Sequence, residues 1–227
     1  MKEIKKFGKI NILHSDKVLI TGATGGLGHH LTEYFLKKNH PVIISSKSTS
    51  KLINQKNNFS KNDSNIQYFK CNLLNYKEIL DLSKFCKKNK VKILVNNAAI
   101  VCPSKLLSDY TFKEIHSMIS VNLEAPILLS YLLQKDLTDI ININSINGLE
   151  HKKNRTIYSA SKWGLRGFSE SFKKESKNLN ILDVYSSNIR TWTTRNNSMD
   201  PITVVSKIYN SFKYKESNLI IDGRPKK

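Results

Sequence analysis

The sequence is poor in cysteine, and its three cysteines, Cys71, Cys86 and Cys102, are not clustered. An odd and dispersed set argues against a disulfide framework and against a zinc site. Each cysteine lies in or beside an apolar run, as is typical of a small buried residue. The six histidines show no metal-ligand spacing. Since a chain of 227 residues can bury a sizeable core, we expect it to fold with neither disulfides nor a metal.

Long hydrophobic runs are also absent, because no apolar stretch approaches the ~20 residues that a membrane span needs. Residues 1–15 are basic but lack the apolar core of a signal peptide. These observations predict a cytoplasmic protein with no membrane partner. The length predicts one domain, residues 16–227, preceded by a basic N-terminal extension, residues 1–15.

Acidic residues are few, with 18 Asp plus Glu against 37 Lys plus Arg, and the formal net charge is +19. Such a charge would suit nucleic acid or a phosphorylated ligand. The excess is mostly lysine, is spread along the chain and is not interleaved with aromatic residues. We therefore predict no nucleic-acid partner, and we expect the positive field to help attract a phosphorylated ligand.

Short apolar runs alternate with amphipathic segments over nearly the whole chain. Seven runs predict strands, at Lys17–Thr21, Pro41–Ser45, Ile66–Lys70, Lys90–Asn96, Asp139–Asn144, Ile181–Ser186 and Asn218–Ile221. Helical spacing is found at His29–Lys38, Asn75–Asn89, Phe112–Lys135, Ile157–Lys177 and Ile202–Tyr214. We expect a kink at Pro126, and a helix plus a surface loop over residues 48–65. The alternation predicts the α/β class, with a doubly wound parallel sheet covered by helices on both faces.

A glycine-rich turn lies between the first predicted strand and the first helix. Glycines allow a tight turn and a close approach to a pyrophosphate, and the following helix N-terminus supplies free N–H groups. This context favours a dinucleotide site over a plain tight turn. The candidate residues are Gly22, Thr24, Gly25, Gly26, Leu27 and Gly28.

The end of the second strand bears on the choice of dinucleotide. An acidic residue there binds the ribose 2′-hydroxyl of NAD, whereas a basic residue suits the 2′-phosphate of NADP. The sequence has Ser46 and Lys47 at this point and no acid. We therefore predict NADP, with NAD as the alternative.

Tyr158 and Lys162 are four residues apart and share one face of a predicted helix. An ordinary tyrosine pKa of about 10 is too high for easy proton transfer near neutrality. A lysine cation one turn away would lower that pKa, so that Tyr158 could serve as a general acid or base. Ser145, just after the fifth strand, could hold a substrate oxygen, and Asn122 could anchor a water that connects Lys162 to solvent.

Together these residues resemble the short-chain dehydrogenase/reductase family, from about Asp16 to the C-terminus. The turn is similar to the family's Thr-Gly-x-x-x-Gly-x-Gly, and Asn96-Asn97-Ala98-Ala99 is similar to its Asn-Asn-Ala-Gly. The resemblance implies a Rossmann sheet of seven strands in the order 3-2-1-4-5-6-7 and the shorter, single-domain branch of the family. It also implies a homodimer or homotetramer.

The resemblance assigns roles residue by residue. Asn122, Ser145, Tyr158 and Lys162 match the family's catalytic tetrad. Asn72, Leu73, Asn97, Ala98, Ile189 and Thr191 match cofactor contacts, and Tyr158 and Lys162 also face the cofactor. We expect Ser145, Asn147, His151 and Trp192 to contact the substrate.

Two features depart from the family pattern. Ser187-Asn188 replaces the usual Pro-Gly after the sixth strand, and the substrate lid is short, since nine residues separate Thr191 from Pro201. The resemblance implies hydride transfer between a nicotinamide dinucleotide and a carbonyl/alcohol pair, with a 3-oxoacyl thioester or a polar keto-sugar as substrate. The departures keep open an alternative, a nucleotide-binding sensor or scaffold with little turnover.

Overall fold

The computed structural model describes residues 16–60, 65–101, 103–190 and 198–224. Within them, seven parallel strands form one sheet in the order β3-β2-β1-β4-β5-β6-β7, which confirms the predicted topology. The strands are β1 (Lys17–Thr21), β2 (Val42–Ser46), β3 (Ile66–Lys70), β4 (Val91–Asn96), β5 (Asp139–Ser145), β6 (Asn180–Ser186) and β7 (Asn218–Ile221). Each lies within one or two residues of its predicted bounds.

Seven α-helices connect the strands within the described residues. They are α1 (Gly26–Lys37), α2 (Thr49–Ser60), α3 (Tyr76–Lys88), α4 (Phe112–Ile119), α5 (Ala125–Leu133), α6 (Thr156–Glu175) and α7 (Pro201–Lys213). Helix α1 begins three residues before its predicted start. The predicted start is late because glycine has weak helix propensity, so the glycines of the turn do not indicate a helix. No helix of the described ranges is long and apolar enough to cross a bilayer.

The central strands are buried on both faces, as a parallel sheet between helix layers requires. In β1, Val18 and Ile20 face the core beneath α1 and α7, whereas Leu19 faces the core beneath α3, α5 and α6. Cys71 and Cys86 are buried free thiols in the second core, which confirms the expected packing role of these two. Cys102 lies outside the described residues.

The long helical region predicted at Phe112–Lys135 ends at Leu133 and is interrupted by a π-helical turn, Ser120–Glu124. Pro126 explains the interruption, since it has no N–H for the carbonyl of Asn122 and its ring would clash with that carbonyl in a regular α-turn. The interruption takes the form of a π-turn just before Pro126, and the kink expected there stays a prediction. The π-turn places Asn122 at its centre.

The order of the strands reverses direction between β1 and β4. At such a point the connections on either side leave toward opposite faces, so that a crevice opens at the carboxyl ends of the strands. The predicted glycine-rich turn follows β1 directly, and Asn97 and Ala98 follow β4.

Candidate active site

A cleft of about 890 Å³ opens at the carboxyl ends of the strands. It brings together every predicted nucleotide-binding residue that the structure describes. These are Gly22, Thr24, Gly25, Gly26, Leu27, Gly28, Ser46, Lys47, Asn72, Leu73, Asn97, Ala98, Tyr158, Lys162 and Ile189. Ser145, Asn147 and His151 also line the cleft, whereas Asn122 does not. Thr191 and Trp192 lie outside the described residues, so their predicted contacts stay predictions.

The turn after β1 has no room for side chains at two of its glycines. Gly22 has a φ of +61°, and a Cβ on it would lie 2.7 Å from Cα of Ala98. A Cβ on Gly28 would lie 2.3 Å from the carbonyl oxygen of Gly22. Asn97 braces the same turn, because its Nδ2 donates to the carbonyls of Thr21 at 2.9 Å and Gly22 at 3.1 Å. The sequence therefore needs glycine here for close backbone packing.

The start of α1 fits the pyrophosphate of a dinucleotide. Its N-cap is Gly25, which has no side chain to cap the helix, and the first turn contains no acidic residue. The first N–H groups of the helix and the positive end of its dipole therefore remain available to an anion. Gly25, Gly26, Leu27 and Gly28 all line the cleft, so these donors lie where a pyrophosphate would be held.

The end of the cleft beside β2 and α2 is polar and positively charged. Lys47 is exposed at the end of β2, and Ser46 accepts a hydrogen bond from the N–H of Ser48 at 3.2 Å. Lys51 in the first turn of α2 also lines the cleft, and the sequence analysis missed it. In the sequence, Lys51 is marked only by its position four residues after Lys47. Helix α2 begins at Thr49, and this start brings Lys51 to the same end of the cleft as Lys47.

At the other end of the cleft, Tyr158 is 9% exposed and shares a side-chain hydrogen bond with Ser145. Ser145 Oγ also accepts the N–H of Asn147 at 3.2 Å, which fixes its side chain at the end of β5. The ring of Tyr158 packs with Tyr110 and Met118. The structure thus places a hydroxyl pair at the position where a carbonyl oxygen could be bound.

Lys162 is 2% exposed, and its Nζ donates to the carbonyl of Ile143 at 2.9 Å. The Nζ lies 5.8 Å from the centre of the Tyr158 ring. Burial lowers the pKa of Lys162 to about 8. Burial raises the pKa of Tyr158, and the opposing contributions come from the hydrogen bond to Ser145 and the charge of Arg155. The expectation that Lys162 holds the pKa of Tyr158 below its ordinary value is therefore wrong for this arrangement.

The buried lysine should make stability depend on pH in a defined window. The folded protein releases the proton of Lys162 near pH 8, whereas the unfolded chain holds it to about 10.5. The unfolded state binds more protons between these values, so this lysine costs less stability as the pH rises through the window. Met carries no charge to bury, so Lys162→Met should have a larger free energy of unfolding than the wild type at pH 7. This difference in the free energy of unfolding should decrease by up to about 3 kcal/mol between pH 7 and pH 10. Urea unfolding at several pH values measures it.

A lysine on the surface of the same helix supplies the control. Lys174 is exposed on α6, so Lys174→Met should differ from the wild type by the same amount at every pH. A difference for Lys162→Met that also stays constant from pH 7 to pH 10 would contradict the lowered pKa.

Asn122 is buried, and its side chain contacts the loop after β4 and helix α6. Its Oδ1 accepts the N–H of Ile100 at 2.7 Å, and its Nδ2 donates to the carbonyl of Ile100 at 3.0 Å and to Ser161 Oγ at 3.2 Å. These contacts fix the side chain, and the predicted role of Asn122 as the anchor of a water stays a prediction. The side chain joins the loop after β4 to helix α6, and the group that Pro126 leaves without its usual α-helical donor is the main-chain carbonyl of Asn122.

The end of the cleft that contains Tyr158 has lining residues that the sequence analysis did not single out. Arg155 lines the cleft one turn before Tyr158, and Arg224 and Glu150 also line it. Arg224 makes two hydrogen bonds to Glu150, at 2.7 and 2.9 Å, and also binds Asp222. No sequence signal could find this pair, because 74 residues separate its members and only the sheet brings β5 and β7 to the same edge.

Three further features lie at this end. The ring of His151, which lines the cleft, stacks on the ring of Trp163 with centroids 5.2 Å apart. Ser187, at the departure from Pro-Gly, accepts the N–H of Gly223 at 3.0 Å and thereby fixes the segment after β7. The predicted lid has its ends joined, because Arg190 donates to Met199 and Met199 to Asn188 through the main chain, each at 2.9 Å. Residues 191–197 between them lie outside the described residues.

Among the described residues, no group of three or more His, Cys, Asp or Glu side chains is arranged to hold a metal ion. The donors of the cleft are instead backbone N–H groups, hydroxyls, amides and cations. Such groups suit the phosphates and ribose hydroxyls of a nucleotide.

Comparison with known proteins agrees with this geometry. The short chain dehydrogenase family matches residues 16–200. An uncharacterised oxidoreductase of Staphylococcus aureus strain USA300 is 30% identical over 169 residues, which cover 71% of this chain and 72% of that protein. The 3-oxoacyl-(acyl-carrier-protein) reductase FabG of Rickettsia felis is 34% identical over 162 residues, 69% of this chain and 65% of that protein. An alcohol dehydrogenase from the archaeon Thermococcus sibiricus, complexed with 5-hydroxy-NADP, superimposes with a TM-score of 0.86 at 16% identity, covering 94% of this chain and all of that one.

Proposed function

Because the chain belongs to the short-chain dehydrogenase family and is an NAD(P)-dependent oxidoreductase, we propose that it interconverts a ketone or aldehyde and an alcohol, with NADPH as the preferred nucleotide. The observation that carries the proposal is the pairing of Tyr158 with Ser145 at one end of a cleft whose other end is shaped for a dinucleotide. A protein that only bound the nucleotide would have no need of this hydroxyl pair.

The proposed roles follow from the contacts. Bound nicotinamide would supply or accept the hydride. Ser145, held by the N–H of Asn147, orients the substrate oxygen, and Tyr158 gives it a proton during reduction or takes one during oxidation. Lys162 holds α6 against β5 through the carbonyl of Ile143, and thereby keeps Tyr158 beside Ser145. Asn122 acts at a distance from the reacting atoms, by fixing Ile100 and Ser161.

The substrate and setting are finer parts of the proposal. A 3-oxoacyl thioester is supported by the 34% identity to a 3-oxoacyl-carrier-protein reductase, and a polar keto-sugar is the second candidate. We place the activity in the cytoplasm, in a single domain over residues 16–227, with Asn147, His151 and Trp192 beside the substrate. Homodimeric or homotetrameric assembly is the accompanying expectation, which sedimentation of the purified protein measures.

Titration of the protein with NADPH and NADH, followed by a panel of ketones, tests the proposed function. Acetoacetyl thioesters and keto-sugars belong in the panel. We expect tight NADPH binding and oxidation of NADPH in the presence of at least one carbonyl. NADPH binding without oxidation by any carbonyl would contradict the enzymatic function and favour a nucleotide-binding sensor or scaffold. This second candidate function is supported by the replacement of Pro-Gly by Ser187-Asn188.

Replacement of Lys47 by Glu should weaken NADPH binding about 10- to 100-fold and leave NADH binding nearly unchanged. A hydrogen bond to a charged group is worth about 1.5–3 kcal/mol, and only NADPH carries the 2′-phosphate that Lys47 would meet. Fluorescence titration of both nucleotides measures the two dissociation constants. Lys88→Glu makes the same charge change at an exposed site on α3 outside the cleft, and should alter neither constant. Equal loss of NADPH and NADH affinity in Lys47→Glu would contradict the assignment.

A further inference from the structure

Asn144, the next-to-last residue of β5, joins the two elements that hold the reacting groups. Its side chain is 3% exposed. Its Oδ1 accepts the main-chain N–H of Ser145 at 2.9 Å, and its Nδ2 donates to the main-chain carbonyl of Lys162 at 3.2 Å. Ser145 lies at the end of the strand and Lys162 lies on helix α6, so one amide group connects both walls of the catalytic end.

A second hydrogen bond runs between the same elements in the opposite direction. Lys162 Nζ donates to the carbonyl of Ile143, so strand residues 143–145 and the second turn of α6 are joined twice. Gly148 packs directly on this junction, since a Cβ there would lie 2.9 Å from Asn144 Oδ1 and 3.0 Å from the carbonyl of Lys162. The Asn144 amide therefore has little room for another rotamer.

We propose that Asn144 is a positioning residue, which sets the distance between Ser145 and the Tyr158–Lys162 face of α6. The inference rests on the proposed function. Tyr158 reaches Ser145 across this junction, so a shift of the strand end relative to the helix separates the two hydroxyls. A misplacement of about 1 Å costs on the order of 100-fold in rate when the reacting groups must be aligned.

Asn142 offers a matched control for a purely structural role. It is buried on the same face of β5, two residues before Asn144. Its amide donates to Ser169 Oγ at 2.8 Å and to Asp183 Oδ1 at 3.2 Å, and it accepts from Asn96 at 2.9 Å. None of these contacts involves the residues of the catalytic end. Loss of the Asn142 side chain therefore removes buried hydrogen bonds from the same strand without releasing that junction.

The first experiment compares Asn144→Ala with Asn142→Ala in ketone reduction by NADPH. Both variants should lose thermal stability, because each leaves buried groups without partners. Asn144→Ala should lower kcat roughly 10- to 100-fold while the NADPH dissociation constant and the ketone KM change less than about threefold. Asn142→Ala should keep kcat within about threefold of the wild type. Equal loss of kcat in the two variants, or no loss in Asn144→Ala, would overturn the proposal.

Asn144→Asp supplies a second test that does not depend on the alanine variant folding. Asp keeps the shape and the acceptor oxygen, but only its protonated form has a hydrogen for the carbonyl of Lys162. The ratio of its kcat to that of the wild type should rise as the pH falls through the titration of the introduced carboxyl. A ratio that does not change with pH would count against the role of the Asn144 donor.

A readout without turnover separates this inference from the proposed function. The titration of Tyr158 is obtained as the phenolate absorbance of each background minus that of the same background carrying Tyr158→Phe. Since the Ser145 hydrogen bond lowers the pKa of Tyr158, its loss in Asn144→Ala should move the midpoint upward, and Asn142→Ala should not move it. A wild type that binds NADPH and reduces no carbonyl contradicts the proposed function, whereas an unmoved midpoint in Asn144→Ala contradicts the role of Asn144.

Discussion

Tyr158→Phe should lower carbonyl reduction by about 10²- to 10⁴-fold, the range expected when a positioned general acid is removed. The change deletes one hydroxyl and keeps the ring that packs with Met118 and Tyr110, so the fold and the nucleotide cleft should persist. The NADPH dissociation constant should therefore stay within about threefold of the wild type, as expected for a group that acts on the transition state. Stopped-flow reduction of the best ketone of the panel and fluorescence titration of NADPH give the two quantities.

Tyr110→Phe is the matched control for this variant. It makes the same chemical change in a neighbouring buried ring, whose hydroxyl has no hydrogen-bond partner in the described part of the chain. Removal of a buried unpartnered hydroxyl should be neutral or slightly stabilising and should leave reduction unchanged. If Tyr158→Phe retained the rate of Tyr110→Phe, the proton would have to come from another group, and the assignment of Tyr158 would be wrong.

Gly28→Ala should weaken NADPH binding roughly 5- to 150-fold and also destabilise the protein. The added methyl group would lie 2.3 Å from the carbonyl of Gly22, 2.8 Å from Cα of Ala23 and 2.8 Å from Asn97 Nδ2. Two of these atoms belong to the backbone of the turn, so the turn must open to admit it. Overpacking of this kind costs about 1–3 kcal/mol, which corresponds to roughly 5- to 150-fold in a dissociation constant when the distorted turn is the binding surface.

Gly167→Ala provides the contrast for Gly28→Ala. Gly167 lies in the middle of α6, where a Cβ would meet no atom within 4 Å. The substitution should leave the NADPH dissociation constant unchanged and should raise stability by about 0.5–1 kcal/mol, because glycine is a poor helix former. Titration calorimetry and thermal unfolding of both variants measure these effects. A Gly28→Ala protein that bound NADPH as tightly as Gly167→Ala would show that the turn does not hold the nucleotide.

Local patterns account for most of the fold. The apolar runs at 17–21 and 91–96 are buried strands because they are too short and too β-branched for helices and are flanked by turn residues. The predicted helix boundaries that differ from the structure also have physical causes. The start of α1 is hidden by glycines, and the π-turn before Pro126 depends on how a helix accommodates a proline, which periodicity does not reveal.

The candidate site likewise contains residues that the sequence predicted and residues that only the structure revealed. Residue type and spacing predicted Gly22, Lys47, Ser145 and Tyr158 as candidate site residues, and the structure brings all four to one cleft. Sequence could not find Arg224 opposite Glu150, since their meeting depends on the order of strands across the sheet. Sequence also did not indicate that the amide of Asn122 binds Ile100 and Ser161, which are 22 and 39 residues away in the chain.

The alternation of strands and helices, the glycine turn and the Tyr158–Lys162 pair follow from local sequence, because each depends on residues a few positions apart. The electrostatics of that pair and the junction at Asn144 depend instead on how the whole domain packs. Burial raises the pKa of Tyr158 and lowers that of Lys162, and burial is a property of the whole packed domain. The contact between Asn144 and Lys162 likewise spans 18 residues of chain, and it exists because α6 folds back along the strand that ends at Ser145.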